Sequence, residues 1–175
     1  MRAIALLPLS ALAMLAACGD AETGKNAART KAASLAAGQW ELASEVTSFE
    51  VVDGGRAQID TPVGTRAAET VCVGAGRPPT AFFSGEGYRC RYDNYYVRNG
   101  RLNVTMICSR EGLSGQIPIA ADGRFEEESL EYSRDVSTSL AGDGDVRIAL
   151  SVTGRRTGEC APDAAGGNQS APEAG

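Results

Sequence analysis

The sequence predicts an all-β domain: an antiparallel meander of about seven strands, curled into an open barrel or a two-layer sandwich and stapled by two disulfides. Three observations predict it. Runs of Val, Ile, Thr, Tyr and Phe alternate with polar residues and are broken at short intervals by Gly, Asp and Asn, which is the punctuation of strands and turns. No segment between residues 38 and 160 carries a helical period. That segment also holds four widely spaced cysteines, Cys72, Cys90, Cys108 and Cys160, an even number that suits two disulfides in an exported domain.

The elements follow in order. Residues 40–52 form the first candidate strand, closed by Asp53-Gly54-Gly55, and residues 66–73 form the second. A Pro- and Gly-rich stretch, 74–87, comes next with little core of its own. Residues 88–98 and 101–109 flank Asn99-Gly100, a strong hairpin signal because a type I′ turn needs positive φ at both central positions. Residues 113–121 and 124–135 flank Asp122-Gly123, read as a second such turn, and Gly142-Asp143-Gly144 marks a third reversal. The last strand, 145–156, alternates cleanly, with Val146, Ile148, Leu150 and Val152 on one face.

The hairpin constrains the cysteines. A two-residue loop at Asn99-Gly100 sets Arg98 opposite Arg101, Tyr95 opposite Val104, Asp93 opposite Met106 and Cys90 opposite Ser109. Side chains alternate between faces, so Cys90 and Cys108 are expected on opposite sides of the sheet, and a bridge between them is disfavoured. The preferred pairing is Cys72–Cys90 with Cys108–Cys160, because the first bridge would close the 74–87 stretch. The alternative is Cys72–Cys108 with Cys90–Cys160. A bulge between Cys90 and Ser109 would undo the parity.

The N-terminus speaks to location. Met1-Arg2 is a short positive region, and residues 3–16 are apolar. That run is too short to span a hydrocarbon core, which needs about 20 helical residues. Leu15-Ala16-Ala17-Cys18 reads as a bacterial lipobox, with Cys18 as the lipidation site and the fifth cysteine of the chain. The expected organisation is a lipoprotein signal peptide (1–17), a flexible Ala-rich tether (18–37), a single β domain (38–160) and a disordered tail (161–175). The expected location is the bacterial envelope, lipid-anchored and periplasm-facing, at the outer membrane because Gly19 rather than Asp follows Cys18.

Composition excludes whole classes of chemistry. The chain has no His, and its only lysines, Lys25 and Lys31, precede the domain. Ser-His-Asp and Cys-His nucleophile systems, Ser-Lys dyads and Schiff-base lysines are therefore absent from it. Residues 38–160 carry 13 Arg against 18 Asp and Glu, so there is no basic footprint for nucleic acid, and the domain is expected to stand off an anionic bilayer. No cofactor, no metal site and no catalytic residue are expected. Val73-Gly74-Ala75-Gly76 lacks the helix a dinucleotide turn would open, since Arg77-Pro78-Pro79 follows. Gly142-Asp143-Gly144-Asp145 lacks the remaining ligands of a calcium loop and reads as a turn. Glu126-Glu127-Glu128, with Asp122 and Glu131, reads as charge guarding a strand edge, with a weak divalent-cation site as the sharper alternative.

The candidate binding face is aromatic. Tyr88, Tyr92, Tyr95 and Tyr96 cluster on one strand after Phe82 and Phe83. Alternation places Tyr92 and Tyr96 together and Tyr95 with Val97 on the other, core-facing side. Tyr88, Tyr92, Tyr96, Phe82 and Phe83 would then form a platform that, with Arg89, Arg91 and Arg98, grips a glycan, a lipid head group or a partner protein.

Gly38-Gln39-Trp40-Glu41, Glu69-Thr70-Val71-Cys72-Val73, a central Cys before a Tyr-rich hairpin, Met106-Ile107-Cys108, Gly115 and the closing Gly154-Arg155-Arg156-Thr157-Gly158-Glu159-Cys160 form an ordered set. Over residues 38–160 this set resembles the proteobacterial exported family named domain of unknown function 3617. The resemblance implies an envelope location and a β-rich fold, with no activity and no catalytic residues. The expected function is a non-catalytic envelope binding or structural module. A carrier of an apolar or lipid-like ligand in a barrel interior is the first alternative. A His-free carboxylate hydrolase, which such chemistry permits in principle, is the second.

Overall fold

The structure, a computed structural model, describes residues 32–161. The expected signal peptide, Cys18, most of the expected tether and the expected tail beyond Ala161 lie outside the described residues. Within them the chain forms β1 (Gly38–Val51), β2 (Arg66–Val73), a four-residue helix α1 (Ala81–Ser84), β3 (Tyr88–Arg98), β4 (Arg101–Arg110), β5 (Gly115–Phe125), β6 (Ser129–Ser137), a short β7 (Ser139–Leu140) and β8 (Val146–Gly158).

Seven strands form one antiparallel sheet in the order β2-β1-β8-β6-β5-β4-β3, bent into a half-barrel, and β7 pairs with β5 off that path. The all-β expectation holds, as the open barrel rather than the sandwich. The stretch from β3 to β8 is the expected meander. The β1–β2 hairpin is added at its far side through β1, which pairs with β8. Two strands, β2 and β3, are left as edges.

The inner face of the half-barrel carries the core. Trp40, Leu42 and Val46 of β1 meet Val104 and Met106 of β4, Ile117 and Ile119 of β5, and Val146 and Val152 of β8, all buried. Each set keeps the two-residue period of a strand with one wet face. The stretch 74–87 closes the open side. Helix α1 inserts Phe82 and Phe83, both fully buried, so this segment supplies core that its composition did not promise. Phe82 packs edge-on against Trp40, and Phe83 against Tyr92, Tyr95 and Tyr132. Such aromatic pairs contribute about 0.5–1.5 kcal/mol beyond area burial.

Three local expectations need correction. First, Asp122-Gly123 is not a turn but lies inside β5, and the reversal comes at residues 126–128, where Glu126 N donates to Ser129 O at 2.7 Å. Gly123 is there because a Cβ would collide with the Glu131 carbonyl and with Tyr132 of β6. A strand glycine of this kind serves close backbone approach rather than positive φ. The Glu126-Glu127-Glu128 run is thus a loop rather than a strand edge.

Second, the disulfides are Cys72–Cys160 and Cys90–Cys108, so both connectivities left open by the sequence are wrong. The hairpin register runs as expected from Arg98↔Arg101 to Tyr95↔Val104. Asp93 then bulges out, Tyr92 pairs with Met106, and Cys90 lands directly opposite Cys108. One extra residue flips every side chain before it to the other face, which turns the disfavoured pair into a cross-strand bridge. The other bridge joins the β2 edge to the chain just after β8, across the start of β1, since Gln39 pairs with both Cys72 and Gly158.

Third, the domain starts before Gly38. Leu35 is buried, Asn99 N and Gly100 N donate to the carbonyls of Ala33 and Ala32, and Trp40 Nε1 donates to Ala36 O. Residues 32–37, expected as the end of a tether, therefore dock on the domain.

Candidate functional site

The half-barrel presents two distinctive places: a buried polar cluster inside and a trough outside. The inner one begins with Arg134, which shares the inward parity of Leu130, Tyr132 and Val136 on β6. Its side chain is only 5% exposed and lies 4.0 Å from Glu69 of β2, itself 12% exposed. Arg134 Nη2 donates to Tyr132 Oη at 3.2 Å, and Tyr132 Oη donates to Phe82 O at 2.8 Å. Tyr92 Oη likewise donates to Pro78 O at 2.9 Å. The polar tips of inward side chains thus hold the backbone of the 74–87 segment in the mouth of the half-barrel.

Burial raises the Glu69 carboxyl above its ordinary value, with Arg134 pulling the other way, and burial also raises the Tyr132, Tyr92 and Tyr95 hydroxyls. Glu69 Oε2 and Arg134 Nε are buried without a hydrogen-bond partner among the described residues. Perturbed groups of this sort occur at functional sites and in structural ion pairs alike. Here the hydrogen bonds of the cluster lead to the plugging segment, which gives it a fastening role.

Gly85 completes the fit. Its φ is +79°, and a Cβ would stand 2.6 Å from Arg134 Nη1 and 3.1 Å from Glu69 Oε1. Gly85→Ala is expected to cost at least about 1–2 kcal/mol from backbone conformation alone, read as a lower denaturation midpoint. A midpoint equal to wild type would show that the segment is not seated on the ion pair.

The outer place is built by register. On the solvent face Tyr96 of β3 stands opposite Asn103, Asn103 opposite Asp122, Asp122 opposite Ser133, and Ser133 opposite Ser151 of β8. Asn94 Nδ2 donates to Asn103 Oδ1 at 3.2 Å and Asn103 Nδ2 to Asp122 Oδ2 at 3.0 Å, so the row is hydrogen-bonded along part of its length. The neighbouring row is charged: Arg98 opposite Arg101, Arg101 opposite Arg124, Arg124 opposite Glu131, then Thr153. Arg124 and Glu131 form an ion pair, and the Arg98 guanidinium lies 4.8 Å over the Tyr96 ring. From Tyr96 and from Arg101 onward, these rows line a trough of about 990 Å³ whose floor carries amide, carboxylate and hydroxyl groups.

The sequence-predicted platform is not assembled. Phe82 and Phe83 are interior, Tyr88 and Tyr92 point inward, and Tyr96 points outward at 37% exposure. The Asp93 bulge is again the cause, because it puts Tyr92 and Tyr95 on one face with ring centroids 5.2 Å apart. Arg89 reaches Glu111 rather than the rings, while Arg77, which the platform did not include, lies over both Tyr92 and Tyr95. The barrel interior that a carrier would need is occupied by Trp40, Phe82, Phe83 and Met106.

The Gly142–Asp145 turn has a structural use. Asp53 Oδ2 accepts from Gly144 N and Asp145 N, and these backbone donors, with Gly55 N, hold its carboxyl below the ordinary range. Among the described residues no group of three or more Cys, Asp or Glu side chains is placed to hold a metal ion.

Sequence reasoning missed the inner pair, although a signal for it exists. Arg134 and Glu69 sit at inward positions of otherwise apolar alternations, and a charge at such a position marks itself as buried by parity alone. The outer rows carry no such signal, since they exist only once strands from residue 96 to residue 151 are in register.

No curated protein matches the chain, and no solved structure does. A family model matches residues 35–160, opening three residues before the expected domain start and in keeping with the docked Leu35. That match covers most of the chain and the whole sheet, and the protein therefore belongs to the family of proteins of unknown function DUF3617.

Proposed function

We propose that this protein is a lipid-anchored, non-catalytic binding module of the bacterial envelope, facing the periplasm from the outer membrane, whose ligand surface is the outer trough. One observation carries the reading. The four cysteines of the domain pair with one another in two bridges, so none of them is left for Cys18, the cysteine that ends a lipobox-like run. Disulfides persist in oxidising compartments, which agrees with export. The lack of His throughout, and of Lys from residue 32 on, supports binding rather than catalysis. The packed interior weighs against a carrier.

The test is the intact mass of protein purified from its own envelope. The expected result is a chain beginning at residue 18, with acyl mass on the N-terminal residue and four hydrogens gained on reduction. A chain that retains residues 1–17, or an unmodified Cys18, overturns the anchored reading.

A further inference from the structure

The geometry points to the outer trough as a binding site for a short acidic oligosaccharide, an inference that rests on the trough being the ligand surface. Three features of one surface converge on that chemistry.

The first is the row of like charges. Arg98 faces Arg101, and Arg101 faces Arg124, on adjacent antiparallel strands. Like charges directly opposite each other destabilise a sheet. Glu131 neutralises Arg124, but Arg101, flanked in register by Arg98 and Arg124, has no carboxylate partner of its own among the described residues. An anion laid along this wall removes the repulsion, and guanidinium binds carboxylate bidentately.

The second is the floor. Asn103, Ser133 and Ser151 offer amide and hydroxyl groups that can both donate to and accept from ligand hydroxyls, and the Asp122 carboxylate can accept from them. Strands lie about 4.8 Å apart, so the row from Tyr96 to Ser151 spans roughly 19 Å across five strands, enough for several sugar rings.

The third is Tyr96. Among the described residues it is the one exposed large apolar side chain on this face, since Val52 and Val63 lie in the β1–β2 connection. A single exposed ring beside hydroxyl partners suits the apolar face of a sugar. It does not suit a protein hot spot, which needs a desolvated apolar centre.

The experiment titrates the mature protein with tetragalacturonate and with hyaluronan tetrasaccharide, using cellotetraose as the neutral control and following binding by NMR shift changes or calorimetry. The expected result is binding of at least one acidic probe at least about tenfold tighter than cellotetraose, weakening with salt. Arg101→Gln and Tyr96→Ala should each weaken it about tenfold while the denaturation midpoint stays at the wild-type value. No binding of either acidic probe, equal binding of cellotetraose, or affinities untouched by both variants overturns the proposal. So does tighter binding to phosphatidylglycerol vesicles that Tyr96→Ala leaves unchanged. None of these outcomes bears on acylation of Cys18, which the intact mass decides separately.

Discussion

Arg134→Met is expected to destabilise the domain by about 3–5 kcal/mol, because it strands the Glu69 carboxylate inside the half-barrel and removes the donor that holds Tyr132. Tyr132 in turn holds Phe82 O, so the loss should loosen the 74–87 segment as well as the ion pair. Replacing both partners by apolar residues of similar size, Arg134→Met with Glu69→Leu, should recover most of that loss, since a packed apolar pair avoids the desolvation of two charges.

The pH dependence has a definite sign. Burial raises the folded-state value of Glu69 above the ordinary 4.5, so its proton is bound more tightly in the folded chain than in the unfolded one. Its contribution is therefore most favourable below the ordinary value and is lost as pH rises through the raised one. Removing Arg134 takes away the opposing attraction and raises Glu69 further. The gap between wild type and Arg134→Met should thus be widest near neutral pH and narrow in acid. Urea midpoints at about pH 7.5 and about pH 4.5 measure it, and a gap that widens in acid would show that Glu69 is not the stranded group.

The second large effect lies at the disulfides. Their loops differ in size, with 88 residues separating Cys72 from Cys160 and 18 separating Cys90 from Cys108. On the loop-entropy model, removing the first costs about 4.6 kcal/mol and removing the second about 3 kcal/mol. Position points the same way. Cys90–Cys108 joins strands already paired along their length, whereas Cys72–Cys160 secures β2, an edge strand paired only with β1. Because Glu69 also sits on β2, losing that bridge should loosen the inner ion pair too. The Cys72→Ser/Cys160→Ser variant should consequently denature at a lower urea concentration than Cys90→Ser/Cys108→Ser. The reverse order would sink this account of the edge.

The sequence by itself determined the strand-rich class, the Asn99-Gly100 hairpin and the clean inward face of β8, because each is a local matter of period, turn chemistry or residue type. The buried charges at residues 69 and 134 are marked there too, by their parity. Only the tertiary structure decided the sulfur pairing and the fate of the aromatic face. Asp93 has no local mark of a bulge, yet that one residue inverts the parity of everything from Tyr88 to Tyr92. Asp122-Gly123 shows the converse, a turn dipeptide overridden because Tyr132 needed the space a side chain would fill. The outer trough belongs to the same category. Tyr96 and Ser151 are 55 positions apart in the chain, and only strand register sets them in one row.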